Sequence, residues 1–190
     1  KIFNFMVEKN DIKKIKVLIV GAGMYVTGKG TNNFGTILPA VCNAFIDGFV
    51  SEIFLSATSV SSSKYAKKCV NKLSQIYKKK INFKSYPIKK NSLFEYLKIA
   101  KSYKPDVAII SVPDHLHYEV SKNLIKLGIH CLVVKPLCNN VKDAKNLIKL
   151  TNKYKVLGLV EFHKRFDEAN LIIKEKLINS DIGELLYSVV

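Results

Sequence analysis

Arginine is nearly absent from this 190-residue chain: Arg165 stands alone beside 30 lysines. Proteins that read nucleic acid lean on arginine for contacts to base edges and for bidentate contacts to phosphates. A net charge of +16 therefore argues less for a nucleic-acid partner than its size suggests. The lysines are spread along the whole chain, with Lys78-Lys79-Lys80 the one run of three. That is the pattern of a solvated surface, and its functional counterpart is a basic field that gathers anionic cofactors and substrates.

Long apolar runs are missing too. None approaches the roughly 20 residues that a membrane helix needs. The longest, Val107–Val112 and Ile129–Val134, have the length of strands. Lys1–Lys14 carries acids and amides throughout and does not read as a secretory leader. The cysteines Cys42, Cys69, Cys131 and Cys138 form no C-x-x-C pair, which points to buried free thiols in a reducing compartment rather than to bridges, metal ligands or a nucleophile. His115 and His117 lack the thiol pair or acid cluster of a zinc site, so no metal is expected. The expectation is a cytoplasmic protein with neither membrane nor nucleic-acid partners. At 48% hydrophobic and 24% charged residues, the composition excludes disordered, collagen-like and disulfide-scaffold chains. The length allows one domain and a fraction of another. The first residue is Lys rather than Met, as in a chain that begins inside a longer protein.

Strand and helix patterns alternate along the sequence. Strands are predicted at Ile15–Val20, Glu52–Ala57, Ile81–Ile88, Val107–Val112, Ile129–Val134 and Val156–Val160, with a further one at Glu184–Val190. Helices are predicted near Leu38–Phe49, from a cap at Ser61–Ser63 to Tyr77, and over Ser92–Ser102. Others run from Pro113-Asp114 to a stop at Gly128, over Val141–Tyr154 and over Asp167–Asn179. The buried faces are read as Ala66, Val70, Leu73 and Tyr77; Leu93, Leu97 and Ala100; Leu116, Val120, Leu124 and Leu127; and Ala144, Leu147 and Ile148. Apolar strands alternating with helices make an α/β protein with a doubly wound parallel sheet of Rossmann type. Such sheets bind ligands beyond the carboxyl ends of their strands, which singles out the residues following each one.

Two phosphate-binding patterns overlap after the first strand. Gly21-x-Gly23-x-x-Val26 is a dinucleotide fingerprint. Its first glycine permits a tight turn and its second lets the backbone approach a pyrophosphate. Val26 in place of the third glycine implies a looser or shifted turn, and Thr27–Gly35 implies a long connection to the next helix. Gly21, Gly23, Met24 and Tyr25 are the candidate contacts. The rival is Gly23-x-x-x-x-Gly28-Lys29-Gly30, a P-loop whose magnesium-binding hydroxyl arrives one place late at Thr31. A plain structural turn is the third alternative. After strand two, Thr58-Ser59-Val60-Ser61-Ser62-Ser63-Lys64 holds no acid to take ribose hydroxyls. Thr58 and Ser59, with Lys64, lean toward NADP over NAD, against helix capping by the same serines.

Later segments carry a family resemblance. Asp106-Val-Ala-Ile-Ile-Ser-Val-Pro-Asp-His-Leu-His117, Gly128-Ile-His-Cys-Leu-Val-Val-Lys-Pro-Leu137, Val160-Glu-Phe-His-Lys-Arg-Phe-Asp167 and Ile182-Gly183-Glu184 resemble, in order, segments of the Gfo/Idh/MocA oxidoreductases. That family contains glucose–fructose oxidoreductase and inositol dehydrogenase. The resemblance implies a nicotinamide-dependent oxidoreductase acting on a sugar, cyclitol or related polyol, with NAD(P) as cofactor. It implies that Lys135 of the Lys-Pro motif assists proton transfer at the substrate hydroxyl. Ser111, Val112, Pro113, His117, Lys135, Pro136 and Arg165 join the cofactor contacts on the same ground. A hinge salt bridge is the other reading of Arg165. Val134 stands where the motif has Glu, and the family's Asp and His partners of the lysine lie in a second domain beyond this chain. The implied organisation is a dinucleotide-binding domain over 1–160, then a connecting helix and first strand of a substrate domain over 161–190, through which subunits could pair. A cofactor-binding sensor of the same fold and a P-loop hydrolase are the alternatives.

Overall fold

The computed structural model describes residues 13–187. The reading of Lys1–Lys14 as no leader falls outside the described residues up to residue 12. Six strands appear: β1 (Ile15–Val20), β2 (Val50–Ser56), β3 (Phe83–Tyr86), β4 (Val107–Ile110), β5 (His130–Val134) and β6 (Gly158–Glu161). Seven α-helices separate and follow them: α1 (Met24–Thr27), α2 (Ile37–Ile46), α3 (Val60–Ile76), α4 (Glu95–Tyr103), α5 (His117–Ile125), α6 (Val141–Tyr154) and α7 (Glu168–Ile178). The strands form one sheet in the order β3-β2-β1-β4-β5-β6, every pair parallel. The chain winds outward from β1 to β3, returns beside β1 as β4, and winds outward the other way. The crevice between β1 and β4 is thus the place where strand order reverses, and ligands of such sheets lie there.

The central strands are apolar on both faces because both are covered. Successive residues alternate across the sheet. Ile19, Ile53 and Leu55 pack with Leu38 and Val41 of α2 and with Ala66, Val70 and Leu73 of α3. Leu18, Val20, Phe54 and Ile110 pack with Tyr96 and Ile99 of α4, Leu124 of α5 and Leu147 of α6. Each such side chain, fully buried, contributes about 1.5–3 kcal/mol. Cys42, Cys69 and Cys131 are free and buried in these layers, and Cys138 is half-buried. Burial pushes the Cys42 and Cys131 thiols up to about 12, so neither offers a thiolate near neutrality.

Several element limits differ from the sequence reading. The serine that caps α3 is Ser59, whose hydroxyl accepts from the Ser62 backbone N–H, rather than one of Ser61–Ser63. Helix α4 begins at Glu95, which leaves Leu93 exposed and turns Tyr96, Ile99 and Ala100 inward. In α5 the buried stripe is His117, Val120, Ser121, Leu124 and Ile125; Leu116 and Leu127 are exposed. Two polar residues sit in that stripe, so apolar spacing alone displaced it. Ile148 is 56% exposed although its neighbour Leu147 is buried. The third strand is confined to Phe83–Tyr86, the fourth stops at Ile110, and the sixth starts at Gly158. Glu184–Tyr187 adopts no strand, and no strand among the described residues pairs with it. Ser188–Val190 lies outside the described residues.

Three helices end on a lysine in the left-handed conformation: Lys78 after α3 (φ 52°), Lys104 after α4 (φ 46°) and Lys155 after α6 (φ 53°). Glycine is the usual residue there. No helix among the described residues is long and apolar enough to cross a membrane.

Candidate functional site

The carboxyl ends of β1, β4 and β5 are neighbours, and the candidate residues follow them. Leaving β1, Gly21 adopts φ +113°, a conformation that side-chain-bearing residues rarely take. Its N–H donates to the Ser56 carbonyl at 2.8 Å, and the Ser111 N–H donates to the Val20 carbonyl at 2.9 Å. These bonds draw the ends of β1, β2 and β4 together. A Cβ on Gly21 would fall on the Ser111 carbonyl oxygen.

Gly23 is exposed and begins α1 with no side-chain cap, and a Cβ there would meet nothing within 4 Å. Open space beside uncapped backbone is what a diphosphate requires of this turn. Helix α1 is one turn long. Val26, at the third position of the fingerprint, is fully buried in the core, and Thr27 is pinned by its hydroxyl donating to the Gly23 carbonyl at 3.0 Å. The turn is therefore shortened and fixed, and Gly28 ends it in the left-handed region at φ 69°. That ending removes the P-loop alternative, because Gly28-Lys29-Gly30 leaves a helix where a P-loop lysine enters one.

At the end of β2, Thr58 is exposed and Ser59 is half-buried at its capping position. Ser59 Oγ lies 3.0 Å from both Ser61 Oγ and Ser62 Oγ. The Lys29 ammonium donates to Ser62 Oγ at 3.3 Å. Lys29 was legible only as a failed P-loop lysine; its partner comes from 33 residues further along the chain.

At the end of β4, Ser111 and Val112 are half-buried and Pro113 and His115 are exposed. His117 opens α5 and is 1% exposed. Its Nδ1 lies 2.6 Å from the Pro136 carbonyl and its Nε2 lies 2.9 Å from the Val112 carbonyl. The ring thus bridges the loops after β4 and β5. A neutral imidazole has one N–H for these two acceptors, and only the imidazolium donates to both. Replacing His117 with leucine, which fills similar volume without donors, is expected to cost about 2 kcal/mol of unfolding free energy, because a lost buried partner costs about 1–3 kcal/mol. The urea midpoint measures it.

Beyond β5, Lys135 and Pro136 are exposed and the peptide between them is cis. Lys135 has no hydrogen-bond or ion-pair partner among the described residues, so its ammonium is available to a ligand. It stands two strands from β1, a distance of about 10 Å. His130, at the start of β5, accepts from the Leu157 N–H at 2.9 Å, a structural use at the other end of the sheet. Arg165 lies over the Phe162 ring at 4.9 Å and makes no ion pair among the described residues, so the hinge salt bridge is not formed. The structure thus places Gly21, Gly23, Met24, Tyr25, Ser111, Val112, Pro113, His117, Lys135 and Pro136 after the carboxyl ends of the neighbouring strands β1, β4 and β5. Thr58 and Ser59 follow β2 on one side of these strands, and Arg165 follows β6 on the other.

The sequence profile of the oxidoreductase family with the NAD-binding Rossmann fold, Gfo/Idh/MocA, matches residues 15–162. The chain belongs to that family. An uncharacterised oxidoreductase of Schizosaccharomyces pombe is 32% identical over 81 residues, 43% of this chain and 22% of that protein. The D-glucoside 3-dehydrogenase of Escherichia coli is 27% identical over 82 residues, again 43% of this chain and 23% of that one. The scyllo-inositol dehydrogenase of Lactobacillus casei, solved with NAD(H) and scyllo-inositol, superposes with a TM-score of 0.64 at 17% identity. That superposition covers 90% of this chain and 43% of that one, and it shares the fold. The chain thus spans less than half the length of these Gfo/Idh/MocA proteins.

Proposed function

We propose that this chain is the coenzyme-binding part of an oxidoreductase that moves hydride between a nicotinamide coenzyme and a carbinol carbon of a sugar, cyclitol or related polyol. The observation that carries the reading is the turn at Gly21–Met24. It is locked against Ser111 with open space over Gly23, two strands from a lysine that has no partner among the described residues. Gly21, Gly23, Met24 and Tyr25 would hold the diphosphate, and Ser111, Val112, Pro113 and Pro136 would line the nicotinamide end. Bound there, the coenzyme supplies the hydride chemistry. Lys135 handles the proton: its amine takes the proton from the substrate hydroxyl during oxidation, and its ammonium returns it during reduction. Residues 1–160 form the coenzyme domain in this reading, and 161–190 lead into a substrate domain through which subunits pair.

NADP is the preferred coenzyme in this proposal. The end of β2 offers hydroxyls and Lys29 where a 2′-phosphate would lie, and no carboxylate to repel it. Lys29→Glu is expected to weaken NADPH about tenfold relative to NADH, the scale of one charge-assisted hydrogen bond. Titration of the protein with NADPH, NADH and ATP–Mg²⁺, followed by coenzyme fluorescence and competition, tests the whole reading. Binding of ATP without either nicotinamide coenzyme would reverse it. A coenzyme-binding sensor of the same fold is the second reading, favoured by Val134 at the residue before Lys135. Turnover of polyols by the full-length protein separates sensor from enzyme.

A further inference from the structure

Three side chains from distant parts of the chain meet at the carboxyl edge of the sheet. Tyr25, on the turn after Gly23, donates its hydroxyl to Glu161 Oε2 at 3.2 Å. Glu161 Oε1 lies 3.3 Å from His163 Nδ1, and that nitrogen is also 3.3 Å from the Tyr25 oxygen. The Tyr25 and His163 rings are 6.0 Å apart, centroid to centroid. Each group touches the other two, so the cluster ties the glycine turn to the end of β6.

Glu161 is the last residue of β6, and no other strand among the described residues ends on an acid. It is paired in register with Val134, the residue before Lys135. Val134 and Tyr25 pack against the same core cluster, so the carboxylate belongs to the face that carries the glycine turn. It stands one strand spacing, about 4.8 Å, from the strand that delivers Lys135. The Glu161 side chain is 20% exposed, buried enough to be held and open enough to be reached. Burial, and then the neighbouring negative charge of Glu161, push the Tyr25 hydroxyl above its ordinary value and keep it a donor. An ionised carboxylate has about four acceptor sites. Tyr25 and His163 engage one on each oxygen, which leaves acceptor capacity on both.

We propose that Glu161 accepts hydrogen bonds from a vicinal diol bound between the glycine turn and Lys135, with Tyr25 and His163 as its positioning residues. Two molecules could bring that diol: the coenzyme, through the ribose beside its nicotinamide, or the polyol substrate. A carboxylate at a strand end takes ribose hydroxyls in other sheets of this kind. The inference rests on the coenzyme reading above and extends it to β6, a strand which that reading leaves unused.

Glu161→Gln keeps an acceptor for Tyr25 and nearly the same volume, so the fold survives to be assayed. The protein and this variant are titrated with NADPH and NADH by fluorescence, with ADP by competition, and with scyllo-inositol in the presence of bound coenzyme. ADP ends before the second ribose. A ribose partner predicts coenzyme Kd raised about 10- to 100-fold with ADP unchanged, the span expected for hydrogen bonds to a charged group. A polyol partner predicts unchanged coenzyme Kd and a similar rise in the inositol concentration that perturbs coenzyme emission. Tyr25→Phe is expected to move the same probe in the same direction by a smaller factor. Equal loss of ADP affinity in Glu161→Gln would mean only a collapsed turn and would overturn the proposal. So would unchanged coenzyme affinity together with an unchanged or absent response to inositol. Wild-type protein that binds no nicotinamide coenzyme overturns the coenzyme reading and this one together, whereas matched constants for wild type and Glu161→Gln remove this one alone.

Discussion

Lys135→Met is expected to lower kcat on an identified polyol about 10²- to 10⁴-fold, the usual yield of a positioned proton-transfer group. Coenzyme affinity should hold, because methionine keeps the length and apolar stem of the side chain while removing the ammonium. Stability should hold as well. Lys135 is exposed and unpartnered among the described residues, and surface changes of that kind stay within about 0.5 kcal/mol. Steady-state turnover by the full-length protein, measured beside a coenzyme titration, separates the three quantities. Full turnover by the variant would remove Lys135 from the proton path and leave the coenzyme site standing.

Gly21→Val is expected to have the largest effect on stability, a loss of about 3–5 kcal/mol. Two costs coincide at this position. A branched residue at φ +113° is strained by about 1–3 kcal/mol. Its Cβ would also fall on the Ser111 carbonyl, and forcing atoms into a packed site costs about 1–3 kcal/mol more. Domains of this size are stable by only about 5–15 kcal/mol, so the loss is a large share of the total. Urea unfolding measures it, and a loss under 1 kcal/mol would show that the β1–β4 junction is looser than the geometry requires. Gly23→Ala is the contrasting variant. Its φ of −76° suits any residue and its Cβ would enter open space, so the fold should hold while coenzyme binding weakens.

The sheet was readable in the sequence because its strands are buried on both faces. Continuous apolar runs such as Ile15–Val20 stand out from the polar stretches between them. The strand–helix alternation implied parallel strands covered on both faces, and the functional edge followed from that; the order of the strands comes from the structure. The reading failed where burial involves polar groups. His117 and Ser121 share the inner stripe of α5, so a search for apolar spacing settled on Leu116 and Leu127, which are exposed. The candidate site could be proposed from sequence where one segment carries it, as at Gly21–Met24 and Lys135-Pro136. It was hidden where two segments must meet. Lys29 with Ser62, Tyr25 with Glu161, and His117 with Pro136 each depend on strand register and helix placement, which no local pattern encodes.

Lysine in this chain does more than decorate the surface. Lys78, Lys104 and Lys155 each carry a charge and also set the left-handed bend that ends a helix. Charge-neutralising scans would therefore mix two variables at these three places. Alanine removes the ammonium and keeps the backbone torsion unfavourable; glycine removes the ammonium and relaxes that torsion. The pair of substitutions, compared at each bend, separates electrostatics from conformation, and a scan with glycine alone would credit to charge what belongs to geometry.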